Sequence, residues 1–543
     1  MISALVNLMM PEKIIMNILL VAAENDALEG GKVGGVGDVI RDIAPALASL
    51  GCQVTVITPS HGFLHTREGS RRTRMIQFMF RGYPHWAELF EIAGKTPHTG
   101  VRHMVVHHTH LSAWDPFFQK HQIYVHDAPD QPFYTDASRF ALFCAAVATA
   151  ASQGMFGPLD VIHLHDWHTA PILILRKCDP RLEALQKIRS VFTIHNLALQ
   201  GVRPFQGSDS SLQAWFPHLS YNWLDLSDPR WSDCINLMAA GIRMADAVHT
   251  VSPSYAEEIL HPSEKPHHYG GEGLEPALRY TKDSGALIGI LNGCAYPEGL
   301  QAPEMAFDEM LDRFVAKIIQ WAGRQDPMPS SLFIAYSRLK ELRRHKADFK
   351  IVLCSVSRVV DQKVRLMRET GSSSKSALER ILDGLGALGC YFLLGAGADE
   401  YERFFTWVSS RYENFIFLNG YSDKCAETLY ANGDLFLMPS SFEPCGISQM
   451  LAMREGQPCV AHAVGGLKDT VQHGVNGFVF SGKNLNDQVD GFVRVTLDAA
   501  ALRQSDPEKW RHIRRRAAAS RFLWQDTARQ YIEKLYMQHL PPG

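Results

Sequence analysis

Short apolar runs alternate with segments of helical spacing along most of this 543-residue chain. IIMNILLVAAEN at 14–25 reads as a buried strand, KVGGVGD at 32–38 as a Gly-rich turn, VIRDIAPALASLG as a helix, and QVTVITP as a second strand ending at Pro59. The rhythm continues through VRHMVVHH, the helical SRFALFCAAVATAASQG, DVIHLHD, SVFTIHN and INLMAAGIRMADAVHTVS, and ALIGILNG at 286–293 reads as the last strand of the first half. Such alternation predicts a parallel sheet with helices on both faces. Residues 294–348 break it with prolines at 297, 303, 327 and 329 and the charged run RLKELRRHKAD, so a connector with helical insertions is expected there. A second α/β series follows: FKIVLCSVSR, CYFLLGAG, NFIFLNGYS, DLFLMPSSFEPCG, PCVAHAVGG and GFVFSG. The expected division is 1–293, 294–348, 349–500 and a helical tail, 501–543.

Composition narrows the function classes. A 46% hydrophobic and 20% charged chain with net charge −3 is an ordinary globular enzyme in make-up, with no basic field for nucleic acid or an anionic membrane. The ten cysteines are scattered without a C-x-x-C pair, as expected of reduced thiols in a cytoplasmic protein, and offer no zinc ribbon. MISALVNLMM lacks a basic flank and a cleavage site, and no apolar run is long enough to span a bilayer.

Two phosphate motifs are excluded by spacing. KVGGVGD and GAGADE do not fit G-x-G-x-x-G, and GFVFSGKN continues with Asn484 where a P-loop needs Ser or Thr. HLHDWH at 163–168 has the density of a zinc site, but no ligand order that converges from one loop. It reads better as a strand end delivering Asp166 to a cleft, as TIHN delivers His195 and Asn196, because parallel sheets bind ligands at the carboxyl ends of their strands. Arg358 and Lys363 follow the apolar KIVLC, where a cation pair holds a diphosphate. FEPCGISQM at 442–450 sets Glu443 in a turn before a helix, and HAVGGLKDTV adds a second Gly-Gly turn.

In this order the segments KVGGVGDV, HLHDWHTA, TIHNLALQG, AAGIRMADAVHTVSPSYAEEI, GILNG, SRVVDQK, LNGYSDKCAETLYANGDLFLMPSSFEPCG and AVGGLKDTV resemble the bacterial glycogen synthase and plant starch synthase family, glycosyltransferase family 5. The resemblance implies an α/β fold of GT-B type, two Rossmann-like domains facing each other across a deep cleft. The acceptor glucan lies mainly on the first domain and the nucleotide-sugar donor on the second. The tail around Trp524 and Tyr531 resembles the family's closing helix, packing back on the first domain. Carried across, Lys32, Gly34 and Gly35 face the donor phosphate and sugar, with Asn292 of GILNG beside them. Asp166 and His195 lie near the transferred glucose, Arg358 and Lys363 hold the diphosphate, and Tyr421 stacks on the nucleobase. Glu443 faces the sugar, Cys445, Gly446 and Ser448 bring up a helix N-terminus, and Gly465 and Gly466 complete the pocket. Glu443, or the His195 backbone carbonyl, is the group placed to face the positive carbon. The implied activity is retaining transfer of glucose from ADP-glucose to glycogen or a malto-oligosaccharide, with no metal or other cofactor. A relative using UDP-glucose or a small acceptor, and a decayed glucan-binding protein, are the alternatives. They are motivated by departures from the family pattern at Val33, Leu199, Ala239, Ala295 and Val364.

Overall fold

A computed structural model describes residues 16–116, 119–296, 305–344 and 349–537; the expectations for 1–15 and for Pro297 and Pro303 lie outside the described residues. The first half builds a nine-stranded sheet. Its order is Leu287–Gly289, Ala247–Thr250, Arg189–Ile194, Val161–His165, Asn17–Val21, Gln53–Pro59, Val101–His107, Tyr83–Ile92, Arg71–Phe80. All neighbours run parallel up to Val101–His107, and the last two strands are antiparallel. Alternate residues serve opposite faces: Leu19, Val21, Leu164 and Phe192 enter one core, Ile18, Leu20, Val161 and Val191 another. Both faces being covered, inner strands such as Asn17–Val21 and Gln53–Pro59 read as near-continuous apolar runs.

The antiparallel edge hairpin was not read from the sequence. Its strands have one wet face, with Met75, Gln77 and Trp86 exposed, so they lack the continuous apolar signal of their neighbours. The signal that was present is the two-residue Arg81-Gly82 turn, both at positive φ (53° and 78°), as a tight hairpin requires.

The second sheet has six strands, all parallel, ordered Phe415–Asn419, Gly389–Gly395, Ile351–Val356, Leu435–Met438, Cys459–His462, Gly477–Phe480. Two expected boundaries shift. The helices Phe307–Ala322 and Ser330–Arg344 form within the expected connector, but they are a layer of the second domain. Met310, Phe314, Ile318, Leu332 and Leu339 pack on Cys354, Phe392, Ile416 and Leu418. The boundary at 500 falls inside the helix Leu485–Ser505, and this helix and Pro507–Ala519 stay with the second sheet through Phe492, Trp510 and Ile513. The chain crosses back only after that: Trp524–Gln530 and the π-helical turn Tyr531–Tyr536 cover the first sheet through Trp524, Ala528, Tyr531 and Leu535.

Candidate active site

The carboxyl ends of five neighbouring strands of the first sheet lead to Asn292, Ser252, His195, Asp166 and Glu24. Glu24 was missed in the sequence, although an acid at a strand end before a Gly-rich turn is the same signal that marks Asp166. Its Oε2 accepts the backbone N–H groups of Val33 (2.6 Å) and Gly34 (2.7 Å), and its Oε1 accepts the Tyr124 hydroxyl (2.8 Å). Gly34 is the N-cap of the helix Gly35–Ser49 and has no side chain to offer, so a carboxylate from the strand satisfies the loop instead. Gly35 opens that helix with free space where a Cβ would stand. Lys32 is held on the loop by Asp38 at 2.6 Å, with Asp26 at 4.0 Å.

Asp166 sits at φ 59°, unusual for a non-glycine residue, and turns its carboxylate onto the next strand end. Its Oδ1 accepts the His195 backbone N–H at 2.8 Å. Burial pushes this carboxyl up to about 7, while the N–H groups of His195 and Asn196 pull it back toward ionisation. His195 is neutral, since burial pushes its imidazole down to about 3, and its Nε2 meets His165 Nδ1 at 3.0 Å. The histidines of HLHDWH do not converge. His163 bonds Tyr536 (2.8 Å) and Thr193 (2.6 Å), His165 bonds His195, and His168 stacks on Trp167 at 4.0 Å.

On the second sheet, SRVVDQK and FEPCG meet across 80 residues of sequence. The Lys363 ammonium pairs with Glu443 Oε2, which also accepts the Ser440 hydroxyl at 3.1 Å. Both side chains are largely buried, 16% and 6% exposed, so each depends on the other for its charge. Gln362 clamps the turn from both sides, accepting Ser441 N–H (2.8 Å) and donating to the Phe442 carbonyl (3.1 Å). The AVGG turn lies directly on it. A Cβ at Gly465 (φ 42°) would stand 2.0 Å from the Glu443 carbonyl oxygen, and one at Gly466 would stand 2.3 Å from that of Cys445. Gly446, at φ 78°, makes the bend inside FEPCG.

Arg358 is exposed beyond the strand Ile351–Val356, and no side chain among the described residues holds its guanidinium. Tyr421 is 61% exposed and donates to Asp423 at 2.8 Å; burial of the rest of the ring and the Asp423 carboxylate raise its phenol, and the charge of Asp38 on the first domain is felt there too.

Cys445 is buried against the first domain's core, burial pushes its thiol up to about 12, and it bonds the Asn292 backbone. The helix that begins at Ser448 runs over Ser448–Arg454. Asn292 keeps its side chain in the site, with a buried Oδ1 that has no partner among the described residues.

The two walls are bolted together. Ser252 donates to the Pro444 carbonyl (2.6 Å), and Gly465 N–H to Glu258 (2.8 Å). Ser254 N–H and Oγ reach Asp469 (2.9 and 2.7 Å), and Tyr269 stacks on Phe442 at 4.5 Å. The Glu443 turn is thereby seated on the segment that follows the strand Ala247–Thr250, the neighbour of the strand that leads to His195.

Residues 17–280 match the family model described as the starch synthase catalytic domain, and 394–512 that of glycosyl transferases group 1. The glycogen synthase of Streptococcus uberis is 33% identical, covering 96% of this chain and 99% of its own length. That of Streptococcus mutans is 31% identical over 96% and 100%. The chain belongs to the glycogen synthase and starch synthase family. It is a hexosyltransferase of the GT-B fold. The catalytic domain of Starch Synthase IV from Arabidopsis thaliana, bound to ADP and acarbose, superposes with a TM-score of 0.72 at 25% identity, over 96% of this chain and 99% of that one. A sucrose-phosphate synthase from Thermosynechococcus elongatus shares the fold at a TM-score of 0.50 and 17% identity, over 96% and 98%.

The five positions read as departures fall into two kinds. Ala239 and Val364 are fully packed, at 0% and 1% exposure, and fill core space. Val33 and Leu199 are 59% and 58% exposed on the loops that follow strands of the first sheet, and Ala295 is exposed as well. Val33 still gives its backbone N–H to Glu24, so its side chain changes the surface and not the loop. No helix among the described residues is long and apolar enough to cross a membrane.

Proposed function

We propose that this enzyme is a glycogen synthase that transfers glucose from ADP-glucose to the non-reducing end of an α-1,4-glucan, retaining the anomeric configuration and using no metal. The observation that carries the reading is the buried Lys363–Glu443 pair, on a turn joined to the first domain through Ser252, with Arg358 exposed just past a strand of the same sheet. In the reaction the bond from the glucose anomeric carbon to the diphosphate oxygen breaks. A bond to the acceptor hydroxyl oxygen forms on the same face, and the hydroxyl proton leaves on the diphosphate. Arg358 and Lys363 stabilise the charge that collects on the leaving group. Glu443 and the His195 backbone carbonyl face the positive carbon, and the joined walls keep water from it. Tyr421 offers a ring face to the nucleobase. ADP-glucose is favoured as donor by the ADP held in the Arabidopsis enzyme.

The test is nucleoside diphosphate release from ADP-glucose and UDP-glucose, with glycogen, maltotriose or no acceptor, beside Glu443→Ala. Glycogen-dependent ADP release that disappears in the variant is the expected outcome. Faster release from UDP-glucose would correct the donor. Release from neither donor, by a folded protein that still binds glycogen, would leave a glucan-binding relative as the answer.

A further inference from the structure

Behind His195 lies a row of buried polar side chains that the transfer reaction does not use directly. His163 and His165, Thr193 and His195, and His249 occupy alternate positions on three adjacent strands and therefore share one face of the sheet. The carboxy-terminal segment 524–536 covers that face. Tyr536 Oη lies 2.8 Å from His163 Nδ1, and His163 Nε2 lies 2.6 Å from Thr193 Oγ1. Thr193 Oγ1 lies 2.9 Å from His249 Nδ1, and His249 Nε2 lies 3.3 Å from the Ile290 carbonyl. His163, Thr193, His249 and Tyr536 are each 0% exposed, so no water supplies an alternative partner.

The direction of every bond in this row follows from its last member. The Ile290 carbonyl only accepts, so His249 carries its proton on Nε2 and leaves Nδ1 bare. Thr193 then donates to His249 Nδ1 and accepts from His163 Nε2–H. His163 Nδ1 is bare in turn, and the Tyr536 hydroxyl donates to it. His163 stacks on His165 with ring centroids 4.5 Å apart and planes 19° apart, and His165 Nδ1 bonds His195 Nε2.

The backbone of the tail is shaped for this contact. Tyr531–Tyr536 is a π-helical turn, closed by Met537 N–H to the Ile532 carbonyl at 2.9 Å. In an α-helix, residues five apart point about 140° away from each other, whereas an i→i+5 turn brings them onto nearly one face. Both tyrosine rings accordingly meet the row: Tyr531 is 4.8 Å from the His249 ring and 5.4 Å from that of His163, and Tyr536 is 5.7 Å from His163.

We infer that Tyr536, His163, Thr193 and His249 are positioning residues for transfer: the carboxy-terminal turn fixes the orientation of the His195 ring through the His163–His165 stack. The inference rests on the reading of His195 as a group beside the transferred sugar. It also gives the crossing tail a task beyond covering the sheet, since the tail arrives from the donor-side domain and ends on the opposite wall.

Tyr536→Phe deletes one hydroxyl and keeps the ring. The expected result is a kcat lowered about tenfold at an unchanged KM for the nucleotide sugar, with a lower thermal midpoint because His163 Nδ1 is left buried without a donor. In a His195→Gln background the same change is expected to lower kcat no further, because both act through one group. Equal additive losses in the two backgrounds, or a loss confined to stability, would overturn the inference. Nitrogen-15 spectra of histidine-labelled enzyme give a readout independent of turnover and of variant folding. His163 and His249 are expected as Nε2–H tautomers, and Tyr536→Phe is expected to shift the His195 ring signals. An Nδ1–H tautomer at His163 in the unaltered enzyme, or an unmoved His195, would refute it. If the unaltered enzyme transfers glucose from no donor, the functional reading fails, and the spectra alone decide this one.

Discussion

The two walls of the site are built by opposite rules. On the first domain Glu24 and Asp166 are carboxylates satisfied by backbone N–H groups, and His195 is a neutral ring bonded to a second neutral ring. Among the described residues the buried polar atoms left without a partner there include Asn292 Oδ1, His165 Nε2 and Trp167 Nε1. On the second domain the groups are charged and only partly answered. Lys363 and Glu443 balance each other, while Arg358 and the Tyr421 ring stand open. In the proposed reaction the first wall is preorganised around the sugar, and the second is finished by the diphosphate and base. A wall of backbone-held groups resists change at its strand ends, whereas a wall of side-chain charges is sensitive to single substitutions.

The largest effect that would break this contrast is expected at Lys363. Lys363→Met leaves the Glu443 carboxylate buried without its partner, at a cost of about 3–5 kcal/mol of stability. It also removes a cation from the leaving group, for a loss of about 10²–10³ in kcat. Thermal unfolding and steady-state rates check both; an unchanged midpoint would mean that the pair is not the internal support of the donor wall.

A second, intermediate effect is expected at Asp166. Its carboxyl is raised by burial from 3.8 to about 7, so the protonated form is the one the fold prefers. Its contribution to stability is therefore complete below pH 3.8 and lost as pH rises through about 7. Asp166→Asn should flatten that part of the stability–pH curve and be more stable than the unaltered enzyme above pH 7. It should also lose about tenfold or more in kcat together with any acid limb of activity near pH 7. An acid limb that persists in the variant would assign it to another group, with Glu258, also raised to about 7 by burial, the first to replace.

The smallest effect on the fold, and the sharpest on ligand, is expected at Arg358. Arg358→Ala should leave the thermal midpoint unchanged, because the side chain is exposed, and raise KM for the nucleotide sugar about tenfold. A KM that stays put would place the diphosphate elsewhere.

Much of this was legible in the sequence because it is local. A strand followed by Asp166, His195 or Arg358, and a glycine turn at 34–35 or 465–466, are patterns of a few residues whose backbone consequence is direct. Glu24 was equally local and was passed over, since its partners are N–H groups ten residues away that carry no side-chain signature. The hairpin 71–92 escaped because its half-exposed strands lack a continuous apolar run. The helices 307–344 were found as helices but assigned to a connector, because nothing in an amphipathic pattern names the sheet it will cover.

The sequence by itself thus determined which residues stand at the ends of strands, and with them the two glycine turns and the charged groups of the donor wall. Only the tertiary structure decided that Lys363 meets Glu443, that Cys445 turns away into the neighbouring core, and that Tyr536 reaches His163 across 373 residues. The physical reason is one of range. Backbone sterics and side-chain alternation act within a turn or a strand, while the partner of a buried charge or ring is chosen by whichever distant surface excludes water from it.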